Sequence, residues 1–189
     1  MALQIISLRH APELIPRLAD WQYQEWGYHS IAELINLLHQ CVEGRALPIT
    51  YVALQDGELA GSIGLYEREM GEAQPPERRF WMGFLFVHPD YRGQGLAKQL
   101  MQHMEAHAAR FGIADLYLFT TNMAAAYANM GWQVVEQLEF EGEMVTVMVK
   151  LLPATEREGQ PATTDPTQVQ DDSVPPISFV PASVHIRPM

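Results

Sequence analysis

The chain reads as an α/β (α+β) domain, on three observations. Short apolar or alternating segments of strand length recur between residues 4 and 151, bounded by Gly, Pro, Asp and Asn. Between them lie stretches whose apolar residues recur at helical spacing. One aromatic strand runs through a glycine turn straight into the longest of these helical patterns.

In chain order, residues 4–8 form a first, partly buried strand. His10-Ala11-Pro12-Glu13 opens a helix, with Pro12 and Glu13 suited to its first turn. It carries Leu14, Leu18, Trp21 and Trp26 down to Gly27, a stop signal. A second helix runs from Ser30 to Gly44, with Ser30 and Glu33 at capping-box spacing. Residues 49–54 and 59–66 are strands joined by a hairpin at Gln55-Asp56-Gly57-Glu58. Residues 67–79 are charged and proline-containing, hence a loop, and residues 80–87 form a buried strand that Pro89 ends. In the helix that follows, Leu96, Leu100, Met104, His107 and Phe111 share one face, and Gly112 stops it. Residues 116–120 are the next strand, the alanines of residues 121–132 a short helix ended by Gly131. Residues 133–140 and 144–151 close the domain as a hairpin around Glu141-Gly142-Glu143.

The 189 residues amount to one domain and something extra, and 48% hydrophobic content supplies a core. No apolar run reaches bilayer-spanning length, and the N-terminus lacks the basic flank and apolar region of a signal peptide. A single Cys41, set in an apolar helical pattern, reads as a buried small hydrophobe and fits a cytoplasmic location. The net charge of −11, carried mostly by residues 1–152, argues against nucleic acid and welcomes cationic ligands.

The stretch Arg92-Gly93-Gln94-Gly95-Leu96-Ala97 follows a Val87-His88-Pro89 strand end. Its glycines let bare N–H groups approach a ligand, and the first amides of the helix lack intrahelical partners. The helix dipole offers an anion about 0.3–1 kcal/mol, and each charge-assisted hydrogen bond roughly 1.5–3 kcal/mol, so converging amides dominate. A phosphate or pyrophosphate is the natural guest, with Arg92 as an added cation; the glycines alone serve a tight connection equally well. A dinucleotide fingerprint would want a glycine at Lys98 and an acid after residues 118–120, and no Gly-Lys-Ser/Thr is present.

Arg-x-x-Gly-x-Ala after a Val-His-Pro strand end resembles the pyrophosphate motif of the GNAT superfamily, the acyl-CoA-dependent N-acetyltransferases. Tyr127-x-x-x-Gly131-Trp132 is similar to the tyrosine element of the same family. The resemblance covers roughly residues 3–152 of a domain set at 1–152, and implies a mixed, mostly antiparallel sheet of about seven strands with about four helices. It implies acetyl-CoA as co-substrate, no metal, and Phe86, Val87, Arg92, Gly93, Gln94, Gly95, Leu96, Ala97, Asn122 and Tyr127 as cofactor-binding residues. Tyr127 inherits the role of general acid to the leaving thiolate. Amides near Val87 would polarise the thioester. The strand position where many relatives carry a glutamate holds Trp81 or Met82 here. Glu67, Glu69 and His29 remain as base candidates. Trp26, Tyr28 and His29, together with Trp21 and Tyr23, are candidates for the acceptor side.

The resemblance implies acetyl transfer to a primary amine by direct attack, and the acidic charge leans the acceptor towards a cationic small molecule such as a polyamine or aminoglycoside. Two alternatives stay open: a peptide or protein N-terminal or lysine acetyltransferase, and a non-catalytic acyl-CoA-binding module, which a missing strand glutamate would favour. His103 and His107 have the i, i+4 spacing of a zinc pair but lie on or beside the apolar helix face, which makes them packed side chains. Residues 153–189 hold more than half of the 13 prolines and read as a flexible or docking tail. Its Ile177-Ser178-Phe179-Val180 patch would meet a sheet edge or the second subunit of a homodimer.

Overall fold

The computed structural model describes residues 2–27, 29–44, 46–70 and 74–153. Within them run β1 (Leu3–Ser7), α1 (Ile15–Trp26), α2 (Ile31–Glu43), β2 (Ile49–Gln55), β3 (Glu58–Tyr66) and β4 (Trp81–Val87). Then follow α3 (Leu96–Arg110), β5 (Asp115–Thr120), α4 (Ala124–Ala128), β6 (Gln133–Phe140) and β7 (Glu143–Leu151). The strands make one sheet in the order β1-β2-β3-β4-β5-β7-β6. All neighbours are antiparallel except β4 and β5. This is the mixed, mostly antiparallel sheet with four α-helices that the resemblance implied. No described helix is long and apolar enough to cross a membrane. The tail and its apolar patch lie outside the described residues, apart from Pro153.

Local chemistry explains most boundaries. Asp56 and Gly57 both have positive φ (51° and 88°), as do Glu141 and Gly142 (51° and 82°), the signature of tight two-residue hairpins. Ser30 and Glu33 form the full capping box at the start of α2, and Gly27 ends α1 in the left-handed region. The first helix begins later than its sequence pattern. Leu8–His10 and Pro12–Leu14 are short 3₁₀ turns, and the α-helix proper starts at Ile15. Pro16 is the physical reason: it lacks an N–H, so it fits the first turn of a helix but would break one begun at residue 11.

The helices sit on both faces of the sheet. On one face, Leu96, Leu100, Met101, Met104 and Ala108 of α3 pack with Met82, Leu116, Leu118 and Met148. On the other, α1 and α2 bury Leu18, Trp21, Leu34 and Leu38 against Val52, Leu59 and Phe86. Farther along that second face, Met70 covers Trp81, Val145 and Val147. Phe111, expected on the apolar face of α3, is 52% exposed; the helix has ended by then and the ring lies against His107. His107 and His103 both pack on Tyr51, whose hydroxyl is 2.8 Å from His107 Nδ1.

Candidate functional site

The parallel pair is where the sheet opens. β4 and β5 register only at Trp81 and Tyr117, with Tyr117 N–H donating to the Phe80 carbonyl at 2.8 Å. Beyond that point the two strands diverge around a cleft of about 450 Å³. Its walls are Met82–Leu85 of β4 and Leu118–Thr120 of β5, with Asn122 and Tyr127 behind. Trp26 and His29 close it from the α1–α2 side, Glu69 from the β3–β4 connection, and Phe140, Glu141 and Glu143 from the β6–β7 hairpin end.

A bulge in β4 shapes that opening. Ser62 and Gly64 of β3 pair with Phe86 and Gly83, leaving Phe84 and Leu85 opposite one residue. Phe84 adopts φ 50°, left-handed backbone that costs a bulky L-residue of order 1–3 kcal/mol. Ser62 Oγ donates to the Phe84 carbonyl at 3.2 Å and secures the distortion. The bulge turns the backbone of Phe84 and Leu85 into the cleft wall, upstream of Val87, where the sequence reading set the polarising amides. An isolated glycine inside a strand pattern, Gly83, was the available signal for it.

The anion loop is built as its glycines require. Gly93 and Gly95 have φ 75° and 77°, and a Cβ added at either would meet nothing within 4 Å. Gly95 caps α3, leaving the amides of its first turn unpartnered by the helix. This open amide cradle fits a pyrophosphate. Arg92 is turned back, its Nε donating to the Val87 carbonyl at 2.9 Å and its guanidinium 3.5 Å from Glu25. Since Glu25 lines the cleft, Arg92 links the glycine loop to the cleft. Leu96 and Phe86 are core side chains, 4% and 6% exposed, so only their backbones are available to a ligand. Gln94 is exposed and donates to the Asp90 carbonyl at 3.4 Å; Ala97 follows in the first turn.

Tyr127 is held by a brace behind α4. The N–H groups of Met130 and Trp132 both donate to its carbonyl, at 2.9 and 3.1 Å. Lys150 then ties the Met130 carbonyl (2.8 Å) to Glu105 of α3 (2.8 Å), and Glu105 also accepts from the Trp132 indole at 3.3 Å. Burial raises the Tyr127 phenol above its ordinary range, so it holds its proton at neutral pH.

The two base candidates of the β3–β4 connection separate. The Glu67 carboxylate pairs with Arg79 at 2.9 Å and is not part of the cleft lining. Glu69 turns inward. A Cβ built on Gly83 would meet its carboxyl carbon at 2.9 Å, so the carboxyl fills the notch that the missing side chain leaves on β4. The residue as a whole is partly exposed, yet the carboxyl lies deep among protein atoms, and that desolvation pushes it up to about 8. Glu141, at the β6–β7 turn, has a buried Oε1 without a hydrogen-bond partner and is likewise raised by burial. His29 lines the cleft with its pKa lowered, burial outweighing the pull of Glu33. Tyr28 lies outside the described residues. Among the described residues, no lysine or arginine lines the cleft. Four glutamates do.

Comparison with known proteins places this arrangement. Residues 15–132 match the model of the acetyltransferase (GNAT) family. An amino-acid acetyltransferase of Edwardsiella ictaluri is 37% identical over 62 residues, 33% of this chain and 14% of that protein. An acetyltransferase of Pectobacterium atrosepticum is 32% identical over 91 residues, 48% of this chain and 55% of that one. The chain thus spans well under two thirds of either relative. Among solved structures, an aminoglycoside 6′-N-acetyltransferase complexed with coenzyme A superposes with a TM-score of 0.62 at 17% identity, over 82% of this chain and all of that one.

Proposed function

The chain belongs to the GNAT acetyltransferase family, and from that premise we propose that it transfers an acetyl group from acetyl-CoA to a primary amine of a cationic small molecule. The observation that carries the reading is the Glu69 carboxyl in the Gly83 notch, in one cleft with Tyr127 and the β4 bulge. The binding-module alternative drew on a missing strand carboxylate. Glu69 supplies one from the adjoining connection instead.

Each residue then has a task. The open amides after Gly93 and Gly95, with Asn122 at the cleft wall, hold the acyl-CoA arm. Backbone at the bulge, where β4 is released from β3, lies where a thioester carbonyl would be polarised. The acceptor arrives as an ammonium with a reference pKa near 10.4, about 3.4 units above neutrality, so deprotonating it at pH 7 costs about 4.6 kcal/mol. Glu69, with a pKa of about 8, takes that proton at far smaller loss than an ordinary carboxylate would. The freed amine attacks the thioester carbon and the C–N bond forms; as the C–S bond breaks, Tyr127 protonates the departing thiolate, and the second nitrogen proton of the adduct restores the Tyr127 phenol. Glu25, Glu141 and Glu143, with the Trp26 ring, face the positive charge on the rest of the acceptor.

Thiol release from acetyl-CoA over a panel of spermidine, an aminoglycoside, lysine and a neutral monoamine tests this reading. The polycations should be preferred. Acetyl-CoA at a hundred times its dissociation constant should also add about 2.7 kcal/mol of stability, roughly 5–11 °C in Tm. Binding without turnover on any amine would return the chain to the binding-module reading.

A further inference from the structure

Glu69 stands in the connection between β3 and β4, described at residues 67–70 and 74–80. A carboxylate on such a segment would ordinarily turn to water, since burial disfavours its charge. Its inward position therefore requires something that fixes the backbone carrying it. Gln74 meets that requirement. It is 3% exposed, an unusual state for a long polar side chain, and its amide is fully engaged. Oε1 accepts from the N–H groups of Glu69 at 2.9 Å and Met70 at 3.5 Å. Nε2 donates to the carbonyls of Glu67 at 3.2 Å and Arg78. One side chain thus ties the start of the connection to its end.

Two further contacts anchor that knot to the sheet. Met70, 2% exposed, packs on Trp81, Val145 and Val147. The Trp81 indole donates to the same Arg78 carbonyl at 2.6 Å. Only Arg68 separates the Gln74-bound carbonyl of Glu67 from the Gln74-bound N–H of Glu69, and the Met70 N–H is bound as well, so Glu69 has little backbone freedom to leave the cleft.

We propose that Gln74 is a positioning residue for the reaction: by binding the backbone at residues 67, 69, 70 and 78, its amide holds the Glu69 carboxyl in the Gly83 notch. The proposal rests on the reading of Glu69 as base, but its test does not. The Glu69 carboxyl is titrated by ¹³C NMR in the full chain, in wild type, Gln74→Ala and Gln74→Met, with acetyl-CoA-induced Tm shifts as the control for an intact cofactor half. Wild type should titrate near 8. Both variants should titrate at least about two pH units lower, toward the ordinary glutamate range, while keeping the acetyl-CoA shift. With spermidine as acceptor, turnover should fall about 10–100-fold with the KM for acetyl-CoA unchanged. Should Gln74→Ala fail to fold, Gln74→Met, which keeps the volume and loses the hydrogen bonds, decides. An unchanged Glu69 titration in a folded variant would overturn the proposal. So would loss of the whole fold in both, because Gln74 would then hold the domain rather than one carboxylate. Full turnover in Glu69→Gln would instead remove the base reading and leave the NMR result to judge Gln74 by itself.

Discussion

The proposed cofactor and acceptor sides are made in different ways. The proposed cofactor side is, apart from Asn122, a single run of chain, Val87 to Ala97, whose working groups are backbone amides freed by Gly93 and Gly95. The proposed acceptor side is the cleft, assembled from α1, the β3–β4 connection, the β4 bulge and the β6–β7 turn, and would work through side chains. A contiguous backbone site tolerates much substitution as long as its φ angles survive. An assembled side-chain site depends on distant supports such as Gln74, Ser62 and the Glu105–Lys150 brace. Variants should therefore separate cleanly into those that lose turnover and those that lose acetyl-CoA.

The largest expected effect is on turnover alone. Glu69→Gln should lower kcat about 10²–10⁴-fold, the usual worth of a general base, with the acetyl-CoA-induced Tm shift intact. A comparable loss of the shift would mean that the halves are not separable. Tyr127→Phe should cost about 10²-fold in turnover, again with acetyl-CoA binding retained; a general acid that is dispensable would leave kcat untouched. Gly83→Ala probes the notch itself. Its methyl meets only the far end of a side chain, so folding should be preserved while Glu69 is evicted and kcat drops about 10–100-fold.

Substitution on the cofactor side should reverse the pattern. Gly95→Val places a β-branched residue at φ 77°, a strain of about 1–3 kcal/mol. The Tm shift with acetyl-CoA should shrink or vanish, with kcat at saturating acetyl-CoA less affected than its KM. Equal losses in both would blur the division.

The smallest effect concerns neither half. His107 is lowered to about 4, first by burial and then by Arg110 and His103. Unfolded, it binds a proton near 6.5, so between about pH 6.5 and 4 the unfolded state holds more protons and stability falls as pH falls. Because His107 keeps partial exposure, solvent screening reduces the expected loss to about 1 kcal/mol, roughly 2–4 °C in Tm. Comparing melts at pH 7 and 5 for wild type and His107→Asn isolates it; identical pH dependence would contradict the assignment.

The same division decides what could be read from the sequence. Element order, both hairpins and the capping box were legible, because Asp56-Gly57, Glu141-Gly142 and Ser30/Glu33 act on their immediate neighbours. The glycine turn before α3 was legible for the same reason, and so was the short helix of Tyr127 before Gly131. Glu69 and Glu67 looked alike in sequence, two acids just past a strand. What separates them is Arg79 holding one outward and the empty side of Gly83 admitting the other. Neither relation is local. The bulge is hinted at only by Gly83, and the start of α1 is set by Pro16, although Pro12 suits a helical first turn equally well. Glu141 came into view only when β6 and β7 brought their turn to the cleft.

The central claim is that the base comes from the β3–β4 connection and sits desolvated in the Gly83 notch. The pH dependence of kcat/KM for wild type and Glu69→Gln, measured with the preferred amine of the panel, tests it most directly. Wild type should show a rising limb with a midpoint near 8, since the free enzyme's base must lose its proton to work. That limb should be absent from the residual activity of Glu69→Gln. The same limb at the same midpoint in both proteins would place the base elsewhere.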